Sequence, residues 1–438
     1  MQMDATGQRP NDAPEFDAVI VGASLAGSAA AVHLGREGAR VALVEQRPDP
    51  RAYKRVCSHY VQASGVPAIE RLGLLDAMMA AGAVRPHFRI WTRWGWIVAP
   101  PESAQTGLNL RRELFDPLLR EAALATPGVE GLLGHSAERL LRDDAGRVIG
   151  VVVRDRAGDE LTLRARLTIG ADGRGSRVAS LAGVPARVTP HGRFAYGAYF
   201  KGGAPAHAPD ASVWMLDPHW AAAFPTDSGL TFYACMPTKA RLADFRSDPG
   251  AALVAFIADL PDAPPIREGR RVAPVLGKLD MTNVEHEPIA PGLALIGDAA
   301  LAADPLWGIG CGWALQSAEW LADAVAAPLA AGPAGDQALA TGLARYRRRW
   351  RRGLRGHARV MEDLAGGRRW RAPERFVFAA ATRDAGVAAA VDAFGARMIG
   401  PNRMVAAAVP RAVAANARHA LARRPRFAPY RASAGAGT

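Results

Sequence analysis

The sequence is short of cysteine and lysine and has no long apolar run, and each shortage closes off a class of protein. Only three cysteines, Cys57, Cys235 and Cys311, occur in 438 residues, too few and too scattered for a disulfide framework. A reduced, cytoplasmic protein is therefore expected. The opening stretch MQMDATGQRPNDAPEF is polar and carries no apolar segment of a secretory signal. Elsewhere the apolar runs are cut by Gly, Asp or Arg before they reach membrane-spanning length, so no transmembrane helix is expected. No set of metal ligands is assigned.

Lysine appears four times, as Lys54, Lys201, Lys239 and Lys278. The net charge of +12 is thus almost wholly arginine, and it is unevenly placed. From residue 341 onward there are 21 arginines against five acidic residues, so the first 340 residues carry about −4. A nucleic-acid binder would interleave basic residues with stacking aromatics across its body, and this body lacks that pattern. The arginine-rich segments 345–364 and 411–427 read as helices with a solvated basic face. An acidic carrier domain or an anionic membrane surface is the partner class such a face would steer.

Apolar content of 49% and charged content of 22% suit a folded α/β chain. DAVIV (17–21) reads as a buried strand, 25–38 as a helix and 41–45 as a second strand. Residues 65–82 have helical spacing and stop at Gly82. Residues 87–100 alternate as one strand, with Phe88, Ile90, Trp94 and Trp96 on one face and Arg89, Trp91, Arg93 and Ile97 on the other. Residues 147–173 predict a hairpin turning at Ala157-Gly158, then another strand. A run of strand-like segments between 183 and 285 predicts an antiparallel sheet with one helix near 249–260. GLALIGDAA (292–300) is a buried strand ending in Gly-Asp, and helices follow from 311 to the end.

The turn GASLAG (22–27) joins the first strand to its helix. In such a turn one glycine allows the tight bend, a second small residue lets the backbone approach a diphosphate, and a third packs the helix close. Gly22, Ser24 and Gly27 hold those places, and the helix N-terminus favours an anion. Glu45, at the end of the second strand, is where an acid accepts from an adenosine ribose. Two later strand ends carry Asp172-Gly173 and Gly297-Asp298. The second is followed by Pro305, Gly308 and Gly310, which open a helix whose N-terminus can face an electron-rich ring edge such as a flavin carbonyl.

A glycine turn near the N-terminus, an Asp-Gly motif near 170 and a Gly-Asp motif near 300 together resemble the FAD-dependent monooxygenases of the para-hydroxybenzoate hydroxylase type. That superfamily also holds geranylgeranyl reductases and flavin-dependent halogenases. The resemblance implies a Rossmann-like FAD domain, α/β in class (α+β overall), over 15–85, 105–182 and 286–330. A substrate-binding antiparallel sheet over 86–104 and 183–285 would split it, with a helical region over 336–427 behind. It also implies that Arg55 and Arg112 meet the FAD, with Arg111 competing for the second role, that Asp172 braces the diphosphate region and that Asp298 holds the ribityl chain. NAD(P)H would bind transiently as reductant, with O2 as co-substrate.

The chain departs from the hydroxylases in carrying Asp304-Pro305 and GIGCG where they have a Pro-Pro pair and G-Q-G-x-N. Halogenation is disfavoured, because no lysine lies between Lys54 and Lys201 to hold an oxidised halide. The stronger rival is a reductase of the geranylgeranyl type acting on a polyene or polyketide, since Cys57 sits where those enzymes often have a cysteine and Cys311 lies in the ring-facing loop. Cys57 and His59 are the candidate catalytic residues, with Tyr60 beside them; a buried cysteine or histidine is more often structural. Trp94, Trp96, Trp214, Trp220, Phe224 and Trp307 are candidates to line the pocket of an apolar or aromatic substrate, such as a polyketide, indole or terpenoid of secondary metabolism. Core packing accounts for at least half of these.

Overall fold

The chain is mixed α/β throughout residues 15–422, the part that the computed structural model describes. Phe16–Val21 is apolar on both faces because it is the central strand of a parallel sheet. It pairs with Val41–Glu45 on one side and Glu160–Gly170 on the other, placing Ile20 opposite Leu43 and Ile169. Val129–Leu133 and Leu293–Leu295 extend the parallel order outward. Helix Leu25–Arg36 crosses over between the first two strands. Its small residues let it lie close to its neighbours: a Cβ on Gly35 would come within 2.7 Å of the Thr126 side chain.

A second sheet of eight strands stands beside the first. It is antiparallel except where Ala211–Met215 runs parallel to Phe88–Thr92. Its two faces feed separate cores. Ile90, Ile97, Val213, Trp220, Ala222 and Phe224 join the main core shared with the parallel sheet. Trp214, Ala221, Ala223, Tyr233 and Cys235 pack under the Pro249–Ala258 helix in an outer core.

Three local expectations change. The helix expected over 65–82 is two, Val66–Arg71 and Leu75–Ala80, because Gly73 turns at φ +74° between them. The strand expected over 87–100 is a tight hairpin whose loop is Arg93-Trp94, pairing Ile90 with Ile97 and Trp91 with Trp96. A hairpin loop resets the alternation, so Trp96 joins Trp91 on the outer face and Ile97 joins Ile90 on the inner one. The hairpin after residue 147 feeds no separate strand either: Glu160–Gly170 is a single 11-residue strand that leaves the hairpin and enters the parallel sheet.

Helices Gly310–Ala330, Asp336–Ala365, Ala372–Ala381, Ala385–Gly395 and Pro401–Ala422 form the C-terminal layer. Some of its arginines meet carboxylates of the preceding chain, and others, such as Arg368 and Arg371, pair with acids of the layer itself. Arg349 pairs with Asp323, Arg351 with Glu287 and Arg355 with Glu285. One side of the long helix is thus docked on the chain's own carboxylates. Residues 423–427 of the expected second arginine helix, and the tail after them, lie outside the described residues, as do residues 1–14. Among the described residues no helix is long and apolar enough to cross a membrane.

Candidate cofactor cleft and substrate crevice

The first strand ends in a turn built around absent side chains. Gly22 sits at φ +105°, and a Cβ there would lie 2.5 Å from the Ala171 carbonyl oxygen; a Cβ on Gly27 would run into the Gly22 carbonyl. Ser24 is the N-cap of the following helix, yet its hydroxyl caps no backbone N–H, and the first turn has no acidic residue. The N-terminal N–H groups are thus open to an anion. Above them lies Arg112, whose Nη2 donates to Ser24 Oγ at 2.8 Å. An open helix N-terminus, a buried guanidinium and a turn that tolerates no Cβ together fit the diphosphate of FAD. Glu45 is buried at the next strand end, where it accepts from the backbone N–H of Ala23 (3.1 Å) and Arg47 (3.0 Å). It braces the turn from behind.

The adjacent arginines diverge. Arg112 opens helix Arg112–Leu124 and pairs with Asp116 one turn on, both buried. Burial works against its charge, but the Asp116 carboxylate outweighs this and keeps the guanidinium ionised. Arg111 faces the other way, into Asp227 and Glu113. Lys54, which sequence reasoning did not single out, reaches across the cleft to Asp298 at 2.9 Å. Burial disfavours the Asp298 charge, but the ammonium outweighs it and holds the carboxyl below its usual range. Asp172 spends both oxygens on the short helix after it, accepting from Ser176 Oγ (2.6 Å) and Val178 N (3.0 Å). Its backbone, 3.0 Å from where a Gly22 Cβ would be, is what borders the turn. Arg55 is exposed on the rim. Gly308, at φ +64°, ends the Pro305–Trp307 turn and delivers the chain to the Gly310–Ala330 helix.

His59 and the two cysteines meet beneath Arg112. His59 is buried at φ +64°; its Nδ1 accepts from Arg112 N at 2.9 Å and its Nε2 contacts the Tyr199 hydroxyl. Accepting at Nδ1 leaves the proton on Nε2, and burial lowers the imidazole to about 4. Both nitrogens are engaged inside the protein, and we infer that His59, a candidate catalytic residue, holds the helix start and Tyr199 and does not act as a general base. Replacing His59 by asparagine, which tolerates this backbone conformation, should cost about 1–3 kcal/mol of stability. The pH–rate profile should stay unchanged between about pH 5 and 8. Disappearance of a limb in that range would reinstate it as a base. Cys57 is half-buried and Cys311 buried, with their sulfurs 3.8 Å apart and Arg112 Nη1 3.8 Å from each. Tyr60 is fully buried and its hydroxyl has no partner among the described residues.

On the inner face of the second sheet an apolar crevice is lined by Phe88, Ile90, Trp220, Phe224, Trp307 and Asp392. Three of the six aromatic candidates fall here. The other three do not: Trp96 and Trp214 pack edge to face at 5.5 Å in the outer core, and Trp94, in the hairpin loop, stacks on Trp370 at 5.9 Å. The indole N–H groups of Trp220 and Trp307 are buried without partners among the described residues. Asp392, from helix Ala385–Gly395, is the residue sequence reasoning missed. It accepts from Gln105 N at 2.8 Å, and burial raises its carboxyl to about 6. Gln62 ties this helix to the cleft by donating to the carbonyls of Trp307 (2.8 Å) and Gly395 (2.5 Å). No periodicity announces Asp392; only a carboxylate on an otherwise apolar helix hints at it.

The family described as FAD binding domain matches residues 15–246. Digeranylgeranylglycerophospholipid reductase 1 of Methanopyrus kandleri is 27% identical over 370 residues, 80% of this chain and 90% of that protein. Squalene monooxygenase of Mus musculus is 32% identical over 173 residues, so the chain matches 36% of itself to only 28% of that relative. Among solved structures, the flavin-dependent brominase Bmp2 superposes with a TM-score of 0.71 at 19% identity, covering 94% of this chain and 100% of that one. The p-nitrophenol 4-monooxygenase PnpA from Pseudomonas putida DLL-E4 does so with 0.70 at 22%, covering 89% and 99%. At such identities the two structures carry the fold alone.

Proposed function

The chain belongs to the family defined by this FAD binding domain and is an FAD-dependent oxidoreductase, and on that premise we propose that it is a monooxygenase. It takes electrons from NAD(P)H and uses O2 to hydroxylate or epoxidise an aromatic or apolar small molecule. The observation that carries this reading is the crevice: Phe88, Trp220, Phe224 and Trp307 line a narrow apolar space of about 20 Å³ beside the Ala385–Gly395 helix, which a substrate would have to widen. Bound FAD supplies the electron transfer and the oxygen chemistry. Everything else is asked of the chain. Gly22, Ser24, Gly27 and Arg112 hold the diphosphate, Glu45 the adenosine ribose and Asp298 the ribityl chain, with Arg55 at the rim and Asp172 behind the turn. Pro305, Gly308 and Gly310 present the N-terminus of their helix to the ring edge, where its dipole favours negative charge. Trp220, Phe224 and Trp307 clamp the substrate and exclude water, and Asp392 accepts a hydrogen bond from its hydroxyl or N–H.

A second reading, an FAD-dependent reductase of the geranylgeranyl type, is favoured by one observation: the half-buried Cys57 thiol at the cleft floor. The similarity to the Methanopyrus reductase along most of the chain supports it. Mixing the FAD-loaded protein with NADPH or NADH in air separates the two. The monooxygenase should lose and regain the oxidised-flavin absorbance, faster once an aromatic substrate is added, and should release peroxide without one. A flavin reduced with no peroxide released, and reoxidised by a polyene instead of O2, would overturn the monooxygenase in favour of the reductase.

A further inference from the structure

The pair of sulfurs under Arg112 is a nucleophilic cluster that the proposed oxygenase leaves without a task. We propose that Cys57 and Cys311 are a peroxide-oxidisable dithiol, a modification site that closes to a disulfide at the floor of the cofactor cleft. The residues come from opposite ends of the chain, yet their Sγ atoms lie 3.8 Å apart, and closing to a bond of about 2.05 Å asks for a movement of about 2 Å. Cys57 lies in the irregular stretch before strand Tyr60–Val61 and Cys311 is the second residue of the Gly310–Ala330 helix, so a loop can shift toward a fixed helix end.

The two sulfurs are unequal. Cys57 Sγ accepts from the backbone N–H of His59 at 3.3 Å and has the Arg112 guanidinium at 3.8 Å. The hydrogen bond from Cys311, with Arg112, His59 and Lys54 around it, holds the Cys57 thiol well below its usual range. The same bond, together with burial, pushes Cys311 well above it. The half-buried sulfur is thus the nucleophile, and the buried one is the proton-bearing partner. Cys235 offers an internal comparison: it lies in the outer core, and burial pushes its thiol up to about 12.

The chemistry balances with hydrogen peroxide as oxidant. The Cys57 thiolate attacks one peroxide oxygen; the S–O bond forms as the O–O bond breaks, and the departing hydroxide takes a proton to become water. Cys311 sulfur then attacks Cys57 Sγ. The S–S bond forms, the S–O bond breaks, and the Cys311 proton leaves with the hydroxide as a second water. Two thiols are oxidised by two electrons, and one peroxide is reduced to two waters. A dithiol reductant reverses the change.

The test uses the purified FAD-loaded protein and reads thiols, not turnover. After a short exposure to hydrogen peroxide, free thiols are alkylated and the digest is examined by mass spectrometry. Two of the three thiols should disappear into a Cys57–Cys311 cross-linked peptide, Cys235 should remain alkylated, and dithiothreitol should restore both lost thiols. Cys311→Ser should stop at a Cys57 sulfenic acid that dimedone traps. Cys57→Ser should give no cross-linked peptide and slow thiol loss at least about tenfold, because both remaining thiols are buried away from the oxidant. Both sulfurs alkylated after peroxide with no cross-link in the wild type, or thiol loss as fast in Cys57→Ser, would overturn the proposal. The wild-type result stands even if a variant fails to fold, and it is unaffected by which substrate the enzyme takes.

Discussion

Replacing Arg112 by methionine should leave a protein that no longer retains FAD and is about 3–5 kcal/mol less stable. The stability loss follows from Asp116, which is buried and pairs with Arg112 through both oxygens. Removing the guanidinium strands a carboxylate whose other close donor is the Lys54 N–H at 3.0 Å. The FAD loss follows from Nη2 of the same side chain, which donates to Ser24 Oγ beside the open helix N-terminus as well as to Asp116. A second variant separates the two. In Arg112→Met with Asp116→Leu the stranded charge is gone, so most of the stability should return, while FAD should still wash out. Denaturant unfolding and the flavin-to-protein ratio after gel filtration read the two effects. Recovery of FAD in the double variant would reduce Arg112 to a structural partner of Asp116.

That experiment also bears on what a sequence can and cannot disclose. The turn at Gly22, Ser24 and Gly27 was legible because its demands are local: one bend, one close approach and one packing contact within six residues. Neighbouring arginines were not separable, because Arg111 and Arg112 differ only in which way the start of a helix points them. Asp116, one turn along the same helix, and Asp227, on a distant turn, settle it. The tryptophans fail for a related reason. Strand alternation assigned Trp96 to the inner face only as long as no turn intervened, and the two-residue loop at Arg93-Trp94 exchanges the faces beyond it. The charge split between tail and body was visible in composition. Its outcome, arginines docked on Asp323, Glu285 and Glu287, needed the packing of the long Asp336–Ala365 helix.

Asp392 is the residue in which packing, titration and function meet, and its replacement by asparagine should raise stability while lowering activity. The carboxyl lies in an apolar crevice on a helix that supplies no cation to offset it, so burial lifts it to about 6. A folded-state value above the unfolded one means that the folded protein binds the extra proton between about pH 4 and 6. Stability is therefore fullest below that window and declines as pH rises through it, by about 1–3 kcal/mol once the carboxylate is fully formed. Asparagine keeps an acceptor for the Gln105 N–H but carries no charge. At neutral pH the variant should outlast the wild type by that margin in denaturant, and near pH 4 the difference should vanish. Turnover should move the other way. A wild-type rate that depends on the carboxylate accepting from the substrate rises through about pH 6, and in the variant this limb should be lost with kcat/KM lowered about tenfold or more. A stability gain that does not change with pH would mean that another group titrates. The expected stability gain with kcat/KM untouched would make Asp392 a tolerated buried acid and leave substrate orientation to the unpartnered indole N–H groups of Trp220 and Trp307. Higher stability joined to lower turnover is the pattern of a charge held in an unfavourable place because the substrate needs it there.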